Sequence, residues 1–384
     1  MLVFPAVLLP LSARLNLTMT ETLGLSFMMY LLFGLTALPW GLLADRFGPR
    51  PLLALYHLGA GGSALLAAIY VDNPFLFSLC LAGIGLFSGI YHPAGLGWIA
   101  KEIEKTSRGM AYNGMFGNLG LAAAPLLAGI INYLYGINTL YIVVGGMNLL
   151  GLAFLYFCKT GSGKVMAKRS SSRENSTSWT PFLILLAVMM LGGIVYRGTS
   201  VTLPSYFELK NSGLYDGITS LTGGMGTPNV TATIFTSIVY LVGMAGQFFG
   251  GRVGEKYDLR FSYLIFHAIT IPAAIGMAVT TDLPLIFFAI IHGFFLLGMQ
   301  PIENTLVARL TPPNLLSSAY GLKFILTFGV GALSVKIIKV VKMHWGMESV
   351  FLTLSFVSFI LCLVILLLIQ KSAGSGLATA QGKI

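Results

Sequence analysis

Charged residues are scarce in this chain: Asp, Glu, Lys and Arg together make up 9% of its 384 positions, against 56% for apolar types. A water-soluble globule carries roughly a quarter of its residues charged, so a soluble domain is excluded. Runs of alternating apolar and polar residues at strand length are also missing, which excludes a transmembrane barrel. There are three cysteines, Cys80, Cys158 and Cys362, all in or beside apolar runs. Their wide spacing fits neither a disulfide framework nor a metal site, and they read as packed thiols. The chain has no His-x-x-His pair, no acid cluster within an apolar run and no phosphate loop. It is therefore read as not an enzyme, with no cofactor and no metal.

What the sequence does have is a succession of apolar runs of roughly 20 residues, the length a helix needs to cross hydrocarbon. They fall at roughly 1–12, 22–43, 51–70, 75–98, 109–131, 138–158, 181–204, 229–250, 261–280, 284–308, 317–338 and 350–370. Helices are required because backbone polar groups in lipid must be satisfied within the segment. The expected fold is an all-α integral membrane protein of about twelve transmembrane helices in two pseudo-symmetric six-helix bundles. The first bundle covers 1–158 and the second 181–370. Between them, 159–180 is a Gly-, Ser- and Lys/Arg-rich linker, and 371–384 is a tail. The first helix is expected to be short or to begin late, because Pro5 and Pro10 interrupt the few residues before Arg14. Residues 205–228, rich in Gly, Ser and Thr, read as a plain connector.

The net charge of +10 comes from 23 basic and 13 acidic residues. Sixteen of the 23 bases, including Arg46, Arg50, Lys101, Lys168, Arg169, Arg252, Arg260 and Lys371, fall on one side of the expected topology. That asymmetry follows the positive-inside rule and places the linker and C-terminus in the cytoplasm of a bacterial-type inner membrane. It is a topology signal and not a nucleic-acid site.

Polar landmarks repeat. Gly41-Leu-Leu-Ala-Asp45-Arg46-Phe-Gly48-Pro-Arg50 returns 210 positions later as Gly251-Arg-Val-Gly-Glu255-Lys256-Tyr-Asp-Leu-Arg260. The same offset pairs His57 with His267, Asp72 with Asp282 and Pro74 with Pro284; an offset of 208 pairs Pro93 with Pro301 and Tyr112 with Tyr320. Such recurrence across two apolar halves marks an internally duplicated membrane carrier. The stretch 41–50 resembles the signature loop of the Major Facilitator Superfamily, with Pro49 departing from the pattern. Tyr91-His92-Pro93, Arg108 to Tyr112, and Gly117-Asn118-Leu-Gly120 through Pro125 to Gly129 are similar to its small-molecule and drug exporters of the fosmidomycin-resistance type. Ala124 replaces the glycine that the antiporter signature places before its proline. The resemblance implies a carrier whose bundles rock about a central site.

Within that reading, Gly41, Asp45, Arg46, Gly48 and Arg50, with Gly251, Glu255 and Arg260, form a conformational latch. The Asp45 carboxylate is expected to accept bonds from a neighbouring helix end, with Arg46 and Arg50 tethering it. Charges inside apolar runs mark function. Glu303 and Lys323 share a depth and are expected to pair, either as a protonation switch or as a static bridge. Arg197 is expected either to bind an anionic substrate or to snorkel to the interface. His92 and Asn118 complete the candidates for substrate or proton handling; His57 and His267 read as packing.

The function expected is proton-coupled efflux of a small organic molecule by alternating access. The alternatives are an uptake symporter or uniporter for an organic anion, and a non-transporting receptor on a carrier fold. The partners expected are the substrate, protons and the lipid bilayer, with the chain as a monomer.

Overall fold

The structure is a computed structural model, and it describes residues 1–102, 106–157, 179–223, 226–310 and 321–372. Every regular element among these residues is helical. α1 (Val3–Ala6) and α2 (Leu8–Leu15) are short; α3 (Met19–Leu25), α4 (Phe27–Leu35) and α5 (Ala37–Phe47) follow nearly continuously, because Ser26 and Thr36 between them keep helical dihedrals. Then come α6 (Pro49–Ile69), α7 (Pro74–Ser88), α8 (Tyr91–Glu102) and α9 (Thr106–Phe157). After the linker stand α10 (Trp179–Lys210), α11 (Ser212–Leu221), α12 (Pro228–Lys256), α13 (Leu259–Val279), α14 (Asp282–Gly298) and α15 (Gln300–Leu310). The chain closes with a π-helical segment (Ile325–Gly329), a 3₁₀ turn (Val330–Ala332), α16 (Leu333–Trp345) and α17 (Glu348–Lys371). The expected linker and tail lie almost wholly outside the described residues.

Local chemistry sets these boundaries. Thr18 and Glu21 form a capping box that starts α3. Asn73 and Thr227 cap α7 and α12, each followed by proline in the first turn, where its missing N–H costs nothing. The 52-residue α9 is interrupted at Gly136, whose φ of 80° only glycine adopts freely, so it folds as two helices in series.

Nine helices among the described residues are long and apolar enough to cross a membrane, or ten if Leu8–Leu15 and Met19–Leu35, bent by 105°, count as one span. Length and apolarity alone therefore do not reach the expected twelve, although each described apolar run falls on helix. Residues 205–228 differ from the expected connector. α10 continues to Lys210, and α11 occupies 212–221.

Helices α6 and α7 pack together, and α6 also packs on α9; after the linker α12 packs on α14, α13 on α17, and α10 on α17. The two sets of helices meet where α1 touches α10, α3 touches α16, α4 touches the π segment and α9 touches α12. One end of the molecule holds Arg50 and Arg260 and is called here the basic end; Asp72 and Asp282 lie at the far end. There the repeat is visible as chemistry. Asp72 holds Arg14, in the last turn of α2, through Nε at 2.6 Å and Nη2 at 2.9 Å. Asp282 accepts the N–H of Leu214 at 2.8 Å, just past α10, the corresponding helix after the linker.

Candidate functional site

The signature loop and its copy share a construction. Gly48 takes a φ of 86°, which lets α5 turn sharply into α6. Gly41 packs on Pro93, where an added Cβ would lie 3.2 Å from the proline Cβ; Gly251 faces Pro301 in the same way at 4.0 Å. Arg50 donates from Nη2 to the carbonyls of Leu155 and Tyr156, at 3.1 and 3.0 Å, and so ties the start of α6 to the end of α9. Arg260 donates to the Ser372 carbonyl at 2.8 Å and pairs with Asp258 at 2.7 Å, tying the start of α13 to the end of α17. In the copy, the carboxylate partner is thus Asp258, and Glu255 is exposed. Arg46 lies over the Phe47 ring at 5.4 Å. The Asp45 side chain, central to the expected latch, lies outside the described residues.

Glu303 and Lys323 do meet. Lys323 Nζ stands 2.7 Å from Glu303 Oε1, and both residues are buried, at 8% and 3% exposure. Sequence reasoning missed two further partners. Tyr263 donates its hydroxyl to Glu303 Oε2 at 2.5 Å, and Lys323 donates to Asn304 Oδ1 at 2.5 Å. Tyr263 lies one turn before His267 on α13, with the two rings 4.8 Å apart, a spacing that could have drawn attention to it. Both ring nitrogens of His267 are buried without a hydrogen-bond partner. His292 instead contacts Thr199 Oγ1 at 3.1 Å and the Thr270 carbonyl at 3.3 Å.

Lys323 stands two residues before the start of the π segment. Widening the helix there is possible because glycines press on it from two sides. A Cβ on Gly34 would fall 2.0 Å from Gly329 N, and one on Gly193 would fall 2.3 Å from the Thr327 carbonyl oxygen. Such π turns inside α-helices are frequent at functional sites. Here the turn presents Phe328 to Arg197.

Arg197 is 4% exposed near the middle of α10, so it does not snorkel. Its guanidinium lies over the Tyr30 ring at 4.2 Å and the Phe328 ring at 5.7 Å. Nε is buried with no hydrogen-bond partner, and among the described residues no carboxylate forms an ion pair with Arg197. A desolvated cation–π contact is worth about 2 kcal/mol, whereas desolvating an ion costs several kcal/mol. The ring faces alone leave the guanidinium under-compensated.

His92 stacks on Phe324 at 5.2 Å and 20°, and Phe324 on Phe328 at 5.6 Å and 16°. The stack crosses between the helices before and after the linker, with Phe33 edge-on to Phe328 at 5.2 Å. Asn118 bonds Gln247, which in turn donates to Gln300 at 2.7 Å, a second polar bridge at mid-depth. At the far end Asn229 donates to the Ala6 carbonyl at 2.8 Å and Lys336 lies over Phe27 at 4.4 Å. Among the described residues, the polar and ring contacts joining the two sets of helices lie at mid-depth and the far end. Arg197, His92 and Asn118 are thus brought to this boundary, whereas Glu303 and Lys323 sit within the post-linker helices.

The profile of the Major Facilitator Superfamily matches residues 1–335 and 218–383. The chain belongs to that superfamily. It is similar to the multi-drug resistance efflux pump PmrA homolog of Lactococcus lactis, at 26% identity over 73% of this chain and 68% of the relative. It is also similar to the MFS-type transporter YfnC of Bacillus subtilis, at 23% identity over 86% of this chain and 80% of that one. Among solved structures, a bacterial homolog of the human lysosomal transporter Spinster, in an inward-facing and unoccupied conformation, superposes with a TM-score of 0.73 at 14% identity, covering 99% of this chain and 95% of that one. A POT family transporter in complex with 5-aminolevulinic acid gives 0.77 at 15% identity, over 96% and 93%. These structural likenesses establish the fold. This superfamily member is a multi-pass membrane transporter.

Proposed function

We propose that this carrier exports a small organic molecule across a bacterial inner membrane in exchange for protons. In this proposal the bundles 1–158 and 181–370 alternately open a central site at either end, with linker and tail on the cytoplasmic side. The observation that carries the proton coupling is the buried Lys323–Glu303 pair at 2.7 Å. Protonating Glu303 removes the partner that Lys323 needs in a low-dielectric setting, and Lys323 stands two residues before the π segment against the other bundle. Contacts between the bundles at mid-depth and the far end support an inward-facing state, with Gly34 and Gly129 allowing close helix approach. Export is supported by relatives named as multidrug efflux pumps.

The test is flux in proteoliposomes under an imposed pH gradient, with Glu303→Gln alongside. Substrate moving against proton flow in the wild type, and equilibrating without regard to the gradient in the variant, is the expected pair of results. Flux in Glu303→Gln that still follows the gradient would remove the pair from the coupling role. The second reading, uptake of an organic anion, is favoured by Arg197 and by similarity to the probable L-galactonate transporter of Escherichia coli, 28% identical over 55% of this chain and 54% of that one. The direction of flux separates the two.

A further inference from the structure

We propose that Arg197 and the ring column of Phe328, Phe324 and His92 form a binding site for a planar aromatic carboxylate, with the carboxylate on the guanidinium and the ring among the parallel side-chain rings. The proposal rests on the reading of the interface between bundles as the substrate site. Its first support is the guanidinium itself, buried, over two ring faces, with Nε unbonded and no carboxylate paired with it among the described residues. A planar guanidinium with an unbonded donor matches a carboxylate in bidentate fashion, as it does a phosphate, and the carboxylate is the group that sits directly on an aromatic ring. The second is independent of charge. His92, Phe324 and Phe328 present nearly parallel faces, at 20° and 16°, and not the edge-to-face packing of the Phe33 contact, at 72°. His92 and Phe324 come from opposite bundles, so their faces part when the bundles move and a flat ring of the substrate then enters by offset stacking, while Phe324 and Phe328 stay together on one helix. Phe328 joins the two halves of the site, since it touches both Arg197 and the column. The ligand class follows: an anionic head on a flat aromatic body. A saturated acid lacks the stacking, and a neutral aromatic lacks the charge.

The experiment measures equilibrium binding of tritiated 2-naphthoate to the full chain in lipid nanodiscs, with unlabelled 2-naphthamide and decahydronaphthalene-2-carboxylate as competitors. Each competitor is expected to bind at least about tenfold more weakly than 2-naphthoate, the scale of one lost charge-assisted or stacking contact. Arg197→Gln should lose naphthoate binding by a similar factor or more, with Arg197→Lys retaining part of it. Phe328→Leu should abolish the preference for the aromatic over the saturated acid. Equal binding of naphthoate and naphthamide, or no naphthoate binding to the wild type, overturns the proposal. The acid and amide comparison on wild-type protein decides the matter even if Arg197→Gln misfolds. A parallel assay of ethidium export under a pH gradient separates this inference from the carrier reading. Ethidium flux without naphthoate binding sinks the site and leaves the carrier. Naphthoate binding with neither compound crossing sinks the carrier and leaves the site.

Discussion

Arg50 and Arg260, 210 positions apart, perform the same operation: each begins a helix and donates its guanidinium to the carbonyls that end another, Leu155 and Tyr156 for the first and Ser372 for the second. Those carbonyls are the orphan acceptors of a helix C-terminus, and a cation there also meets the negative end of the dipole. Arg260 is more deeply buried and carries Asp258 with it. Arg260→Ala is therefore expected to cost about 2 kcal/mol, because charge-assisted bonds to both Asp258 and Ser372 are lost, and Arg50→Ala about 1 kcal/mol. Thermal unfolding in detergent checks the order; a larger loss at Arg50 would contradict it.

The shared role also places both residues at one end of the molecule. In a cysteine-free background, Phe47→Cys and Tyr257→Cys, at positions 58% and 54% exposed, should react with a membrane-impermeant maleimide from the same side of the bilayer. Labelling from opposite sides would remove the pseudo-symmetry and the proposed rocking with it.

Lys323 and Glu303 should show strong non-additivity. Either Glu303→Gln or Lys323→Met leaves a buried group without its counter-charge and should destabilise the protein by about 3 kcal/mol or more. The double variant, which removes both charges, should recover most of that loss. Melting temperatures of the three variants test this, and additive losses would mean the pair is not the unit described here.

Gly34→Ala tests the contact that sets the π segment against α4. The new Cβ would lie 2.0 Å from the backbone nitrogen of Gly329, whereas the one made by Gly24→Ala would have no heavy atom within 4 Å. Gly34→Ala should lose about 1–3 kcal/mol of stability through overpacking and should block flux; Gly24→Ala should behave as wild type. Normal flux in both would show that the carrier does not pass through this close approach.

Asp72 provides the pH dependence. Its hydrogen bonds from Arg14 hold the carboxyl below the usual carboxylate range. The group is less readily protonated folded than unfolded, so the stability it adds is present above the ordinary carboxylate pKa and is lost as pH falls through the folded value. Between about pH 5 and 3 the wild type should lose more melting temperature than Asp72→Asn, modestly and only at low salt because the pair is exposed. Parallel pH curves would assign Asp72 no such part.

Much of this was legible in the residues, for reasons that differ by case. The pairing of Glu303 with Lys323 followed from equal depth in lipid, where neither charge tolerates isolation. The equivalence of Arg50 and Arg260 followed from register, and the helix under each apolar run from the demand that lipid makes on the backbone. Tyr30 and Phe328 were not legible as partners of Arg197. One of them is an aromatic among 26 Phe and 16 Tyr with nothing local to distinguish it, and the other is aimed by a π turn that no pattern in 325–329 announces. α11 was missed because Gly, Ser and Thr disguise a helix that Asp282 fixes from far along the chain.

Composition and hydropathy alone determined that this is a helical membrane protein, since hydrocarbon solvent admits so few ways to satisfy a backbone. Whether Arg197 would snorkel or be buried against rings, and whether His92 would face Phe324, was decided only when the two sets of helices met. Those contacts join residues more than 150 positions apart through close glycine approaches, and the energy that selects them exists nowhere along the local chain.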